Sequence, residues 1–297
     1  MKNWIAVFVI TITLAAFGFA SVAQSASLTL GGDVRYRYEV LDPGNTSDSS
    51  QQIRGRIGAD FDLDDGFSAG LRLNTGDVVL EGNDLDISVD QLYINYTLSG
   101  LSLTGGKMES PFYNAGGGEL LMDEDDNPEG LAVNYTSNLG IIGINATAAH
   151  FEIDGTNDLT GAQGGVTLGI FTVGAGYYTY IYEPLKYNIA EYYAETTITF
   201  ANYMIELYGD YAISEADNEG WVAGATTGLG DLTLGYKYVD VENGSVGAYT
   251  DDDFNQGDVE GYKISAGYQI NKSVALNADY INANSDDTVQ GNLVLSF

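Results

Sequence analysis

Apolar and polar side chains alternate with a period of two along almost the entire chain after residue 26, and no stretch there carries the spacing of an amphipathic helix. In the first segment Leu28, Leu30, Val34, Tyr36, Tyr38 and Val40 share one face, and Thr29, Asp33, Arg35, Arg37 and Glu39 share the other. In the second, Ile53, Ile57, Ala59, Phe61 and Leu63 stand opposite Gln52, Arg54, Arg56, Asp60 and Asp62. Successive strand side chains point to opposite faces, so each segment reads as a strand with one greasy side and one wet side. Sixteen such strands are expected, with fourteen to eighteen as the range: 27–41, 51–63, 67–75, 87–99, 101–108, 129–137, 139–153, 161–168, 170–182, 189–201, 203–214, 220–228, 231–242, 258–270, 272–283 and 287–297.

The connections alternate too. Asp64-Asp65-Gly66, Ser99-Gly100, Ser137-Asn138, Ala201-Asn202, Leu229-Gly230 and Asn271-Lys272 suit tight turns. The weakest turn signal falls at Leu168-Gly169-Ile170. Longer polar loops lie between these turns, at 42–50, 76–86, 109–128, 154–160, 183–188, 215–219, 243–257 and 284–286. All four prolines (Pro43, Pro111, Pro128, Pro184) fall in the long loops, as they must if the rest is hydrogen-bonded sheet.

At the amino end Lys2 precedes an uncharged run, Ile5 to Ala20, and then small residues, the form of a secretory signal peptide. Ser21-Val22-Ala23 is the best cleavage site, cleavage after Ala26 is the alternative, and a retained spanning helix is the competing reading. No later run is long and apolar enough for a spanning helix. Lipid leaves no unpaired backbone group tolerable, so a membrane protein built from such strands must close on itself. The expectation is therefore an all-β protein: a signal peptide at 1–23, then a transmembrane antiparallel β-barrel over 24–297 with short turns on one side and longer loops on the other. Composition fits, with 38 Gly, 22 Tyr, 4 Pro and no Cys. The missing cysteines exclude a small disulfide scaffold in an oxidising compartment. The net charge of −31 becomes −32 once Lys2 is removed, and argues strongly against nucleic acid as a partner. Tyr177, Tyr178, Tyr180, Tyr182, Trp221, Tyr236 and Tyr238 cluster near strand ends and are expected to form aromatic girdles at the membrane interfaces.

In the final segment Val289, Gly291, Leu293, Leu295 and Phe297 alternate with Gln290, Asn292 and Ser296, broken only by Val294. It resembles the closing strand of bacterial outer-membrane barrels, where the terminal aromatic, here Phe297, is the address read by the barrel-assembly machinery. From Gly31 to Tyr135 the chain resembles the bacterial putative-porin family. The shared motifs are Gly32-Asp33-Val34-Arg35-Tyr36-Arg37-Tyr38-Glu39, Ile53-Arg54-Gly55-Arg56-Ile57-Gly58, Gly70-Leu71-Arg72-Leu73-Asn74-Thr75-Gly76, Asp90-Gln91-Leu92-Tyr93-Ile94, Gly105-Gly106-Lys107-Met108, Met122-Asp123 and Glu129-Gly130-Leu131-Ala132. The resemblance implies a passive diffusion channel in the outer membrane of a Gram-negative bacterium, surrounded by lipid and lipopolysaccharide. Homotrimers are common among such porins.

A porin's chemistry lies in its pore lining. All five arginines, Arg35, Arg37, Arg54, Arg56 and Arg72, fall on the polar faces of the first three strands. A charge on the lipid face at mid-membrane would cost about 2–4 kcal/mol, so these face the lumen. In a sixteen-strand barrel the second strand faces the tenth, and strands ten and eleven carry Glu191, Glu195, Glu206 and Asp210, giving a basic wall opposite an acidic one. The third long loop, 109–128, has the position of a constriction loop, with Asp123, Glu124, Asp125 and Asp126, and its Asn114-Ala115-Gly116-Gly117-Gly118 segment is flexible enough to fold inward. Opposed charges across a water-filled constriction favour polar solutes and set ion preference. The expected function is passive diffusion of small hydrophilic solutes and ions with a preference for cations. The alternatives are an anion- or carboxylate-selective channel using the arginines, and a closed structural or adhesive barrel. Simple stapling of the barrel by the arginines is compatible with either channel.

No cofactor is expected. Loop acids such as Asp251-Asp252-Asp253 read as solvated surface or as a bridge through divalent cations to anionic lipid; no loop has calcium-loop spacing, so no metal site is expected. His150, the single histidine, has no nucleophile motif beside it and reads as an interface residue, and no enzyme activity is expected.

Overall fold

The computed structural model describes residues 27–42, 48–80, 86–123, 125–153, 157–182, 185–201, 203–246, 253–254, 258–284 and 286–297. The expected signal peptide, 1–23, lies outside them. Sixteen barrel strands follow in order: β1 Ser27–Asp42, β2 Asp48–Asp62, β3 Phe67–Asn74, β4 Ser88–Leu98, β5 Leu101–Lys107, β6 Glu129–Leu139, β7 Ile142–Glu152, β8 Asn157–Leu168, β9 Phe171–Tyr182, β10 Leu185–Phe200, β11 Tyr203–Ser214, β12 Glu219–Leu229, β13 Leu232–Val241, β14 Val259–Asn271, β15 Val274–Ala283 and β16 Asp286–Ser296. Each pairs antiparallel with its chain neighbours, and β1 pairs with both β2 and β16, so the sheet closes without a free edge. The closing ladder ends on Phe297, whose N–H and C=O exchange hydrogen bonds with Gly32 at 3.1 Å each. A two-residue strand, Val78–Val79, pairs with Gln52 and Ile53 of β2 and folds the loop after β3 back along the wall.

The register translates the alternation directly. Arg35 pairs with Arg54 and Val294, and Tyr36 with Ile53 and Leu293, so one face of every ladder is lumen and the other lipid. Val294, the break in the last segment, sits on the lumen face. Outward Leu30, Ile57, Leu92, Ile94, Leu131 and Val173 are each more than half exposed, an inversion of soluble-protein burial that suits a hydrocarbon surround.

The turns expected at Leu229-Gly230 and Asn271-Lys272 each lie one residue further on, since Leu229 pairs with Leu232 and Asn271 with Val274, and two expectations shift more. The turn after β6 is Gly140–Ile141 rather than Ser137-Asn138: Asn138 stays paired with Gly143, and Gly140 takes the left-handed φ of 68° that the turn needs. Gly169, at φ 64°, does the same where the turn signal was weakest. The girdle also divides. Tyr177, Trp221 and Tyr236 face outward and are exposed, whereas Tyr178 and Tyr180 are 1% and 0% exposed inside the barrel. Neighbouring residues of one strand cannot share a face, so Tyr177-Tyr178 had to split. The side chain of Tyr182 lies outside the description.

Candidate functional site

The loop joining β5 to β6 does not stand above the barrel; it runs down into the lumen and lies against β8 to β12. Its apolar residues make the seat. Met108, Ala115, Leu120, Leu121 and Met122 are buried against Phe151, Leu159, Tyr178, Tyr180, Tyr208 and Val222, all lumen-facing. Phe112 packs edge-on to Tyr178 with centroids 5.0 Å apart. A one-turn 3-10 helix, Ala115–Gly117, rests on Tyr208, and Gly116 at φ 55° brings its backbone so close that a Cβ there would run into the Tyr208 ring. Inward tyrosines lie across glycines of adjacent strands, Tyr193 over Gly174 and Tyr208 over Gly224. Glycine at these sites leaves room for the rings to line the wall.

Polar contacts fix the same loop. Gln163 of β8 accepts from the Tyr113 N–H at 2.6 Å and donates to its carbonyl at 2.9 Å. Glu195 accepts from the Tyr113 hydroxyl at 2.7 Å and from the Gly116 N–H at 3.0 Å. Burial, then this bond to Glu195, pushes the Tyr113 phenol above its ordinary range. Glu119, itself at φ 58°, donates its N–H to the Asn114 side-chain oxygen at 2.6 Å and pairs with Lys237 at 3.1 Å. Asp125 reaches the opposite wall and pairs with Arg54 at 2.7 Å and Arg56 at 3.0 Å. Burial pushes its carboxyl up, but the Arg54 hydrogen bond and the charges of Arg54, Arg56 and Arg35 outweigh this and hold it below the usual carboxylate value.

The expected acidic wall is thus covered. Glu191 and Asp210 are 3% and 4% exposed beneath the loop, and Glu191 accepts from Tyr178 at 2.6 Å and Gln163 at 2.9 Å. Glu195 serves as a loop anchor, and Glu206 lies beside it, partly buried. These side chains lie on the inner face of β10 and β11, and the loop occupies the space in front of them. Of the other loop acids, the Asp123 carboxylate accepts from the Asp125 N–H, the Asp126 N–H bonds the Asp123 carbonyl, and Glu124 lies outside the described residues.

The five arginines face the lumen on β1 to β3, each with a carboxylate or amide at hand. Arg35 binds Asp77 at 2.6 Å, Arg56 binds Asp33 at 2.8 Å, and Arg37 donates to Asn292 at 2.9 Å. Arg72 pairs with Asp90, brought inward at a break in the β3–β4 register; Asn127 bonds Asp90 and Gln91 and so pins the end of the loop. Between the seated loop and the β13–β2 wall lies a cavity of about 690 Å³, lined by Arg35, Arg54 and Arg56 on one side and Gly117 and Glu119 on the other.

Several residues around this cavity are not among the candidates that the sequence offers. Lys237 and Lys263 face each other across the β13–β14 ladder and both line it. Their signal was present, since Tyr236 and Tyr238 on the lipid side force Lys237 inward. Asp253 pairs with Lys263 at 2.6 Å, and the buried Phe254 ring lies 5.8 Å from the Lys237 ammonium, so residues 253–254, between β13 and β14, lie inside the lumen. Nothing in the acidic composition around them indicated that. His150 faces outward and bonds Thr160 at 2.8 Å.

Two family models match the chain. One, described as a putative porin, covers residues 34–175; the other, described as a Gram-negative porin, covers residues 119–288. No curated protein matches. Among solved structures, a triple mutant of Rhodopseudomonas blastica porin aligns over 91% of this chain and 100% of its own, with a TM-score of 0.63 at 13% identity. Salmonella typhi OmpF, in a complex with daunomycin, aligns over 91% and 97%, with a TM-score of 0.66 at 14% identity.

Proposed function

Because the chain belongs to the Gram-negative porin family and forms a sixteen-stranded outer-membrane barrel, we propose that it passes small hydrophilic solutes and ions by diffusion, with a preference for cations. The observation that carries the preference is the pairing of every cation lining the main cavity. Arg35, Arg54, Arg56, Lys237 and Lys263 each hold a carboxylate: Asp77, Asp125, Asp33 with Asp125, Glu119 and Asp253 respectively. Two further lining acids have no ion pair among the described residues: Asp279 on β15, and Asp231 exposed in the β12–β13 turn at the cavity's rim, so the lining is left slightly negative. Paired arginines are poor anion-binding groups, because an incoming anion must displace a carboxylate already at ion-pair distance. The arrangement therefore supports a lining close to charge balance that leans negative, rather than an anion trap.

The test is single-channel recording of refolded protein in a planar bilayer under a KCl gradient. A steady conductance with a reversal potential on the cation side is expected. An anion-side reversal would move control to the arginines and favour the anion channel. Absence of conductance from demonstrably folded protein would overturn the channel reading altogether.

A further inference from the structure

Toward the long-loop end of the barrel, beyond Lys237 and Lys263, the inner wall changes character. The alternation that aims these lysines inward also aims Val239 and Val241 on β13, Val259 on β14, and Ile281 and Ala283 on β15 into the lumen. Such an apolar patch would be costly against a water-filled lumen. All five residues are nevertheless at most 5% exposed, so the patch is covered.

The cover comes from the chain between β13 and β14. Phe254 is 1% exposed, belongs to the same buried cluster, and lies on Gly261 of β14, where an added Cβ would stand 3.0 Å from its ring. Val246 packs against that cluster as well. Ser245 is fully buried on Gly220 of β12, where an added Cβ would stand 2.7 Å from its hydroxyl, and donates to the Glu242 carbonyl at 2.7 Å. Asp253 is fixed by the wall itself, paired with Lys263 of β14 at 2.6 Å and 3.5 Å from the Gln290 amide of β16. Lys237 links these residues to the loop after β5: its ammonium pairs with Glu119 and stands within cation–π range of the Phe254 ring. The loop after β5 covers the inner wall from β8 to β12, and Ser245, Asp253 and Phe254 carry the cover on to β15.

We propose that Asp253 and Phe254 form a second constriction of the channel. Phe254 anchors the segment on the apolar patch, and Asp253 sets the charge that a passing ion meets at Lys263. This rests on the diffusion-channel reading above and adds to it the residues that restrict the passage. Lys263 and Asp279 both line the main cavity. While Asp253 neutralises Lys263, Asp279 is left to favour cations. Without the Phe254 anchor Asp253 is withdrawn, and Lys263 then offsets Asp279.

Planar-bilayer recording under a KCl gradient near 1 M, where distant charges are screened over about 3 Å, tests the role of the pair. Phe254→Ala is expected to raise single-channel conductance roughly 1.5-fold and to lower the cation-to-anion permeability ratio roughly twofold. Asp253→Asn leaves the anchor in place and should lower the ratio to a similar degree while conductance stays near that of the wild type. The seat is read without conduction. The chain has no cysteine, so Ser245→Cys carries the single thiol. A water-soluble maleimide should label it roughly tenfold faster in the Phe254→Ala background than in otherwise unchanged protein. Rapid labelling of Ser245→Cys in otherwise unchanged folded protein would overturn the proposal, as would a folded Phe254→Ala variant with wild-type conductance and ratio; both leave the channel reading standing. If Phe254→Ala does not fold, Asp253→Asn decides, and an unchanged ratio overturns the proposal. A folded wild type that does not conduct while Ser245→Cys stays protected would overturn the channel reading, and the second constriction with it.

Discussion

At the residue scale the seat of the constriction loop turns on Gly116. Its φ of 55° and its contact with Tyr208 both require glycine. Gly116→Ala is expected to lift the loop from β11 and cost about 1–3 kcal/mol, the usual penalty for overpacking a filled site. Heat-induced unfolding followed by gel mobility would record the loss, and single-channel traces should become noisier as the loop detaches. Tyr208→Ala in the same molecule should restore the seat in part, because it removes the ring that the new methyl meets. The sequence made Gly116 visible as a flexible residue, but its real task is close approach, which depends on a ring ninety-two positions away and cannot be read locally. The arginines were legible for the opposite reason. A strand's alternation and the cost of charge in lipid fix where each one points before any partner is known.

At the element scale the loop after β5 is held at both ends and in the middle by different chemistry. The apolar middle sits on the inner wall, while the far end is tied by Asp125 to Arg54 and Arg56. With its folded-state pKa below the ordinary 3.8, Asp125 stabilises the seat at every pH above that value and loses its contribution as pH falls through the lower folded value. Conductance steps are therefore expected to stay uniform from pH 7 down to about pH 4 and to become unsteady only below it. Asp125→Asn should show the unsteady behaviour already at pH 7, which recordings at the two pH values would separate. The loop's place was readable from its length and order along the chain. Its depth was also written there, in Phe112 and the Leu120-Leu121-Met122 run, residues too apolar for a solvated loop. Reading the loop by its acids alone hid this, and with it the burial of Glu191 and Asp210.

At the scale of the whole molecule two charge distributions compete to set selectivity. The chain carries a formal charge of −31. Around the main cavity, however, five cations meet four lining acids, and Asp77, Asp125 and Asp253 bring the acids to seven, so the constriction itself is close to balance. Most of the excess acid therefore lies away from the narrowest section. Charges far from the permeating ion act through solvent and are screened over about 30 Å at 0.01 M salt, 10 Å at 0.1 M and 3 Å at 1 M. If distant acids supply most of the preference, the cation-to-anion permeability ratio should fall steeply as KCl rises from 0.01 to 1 M. A small residual cation preference should persist at 1 M, set by Asp279 inside the cavity. Asp279→Asn should remove much of that residue while leaving the low-salt ratio nearly intact. A ratio independent of salt would instead place the control wholly within the lining, and a reversal of sign at 1 M would mean that the paired arginines still act as free cations.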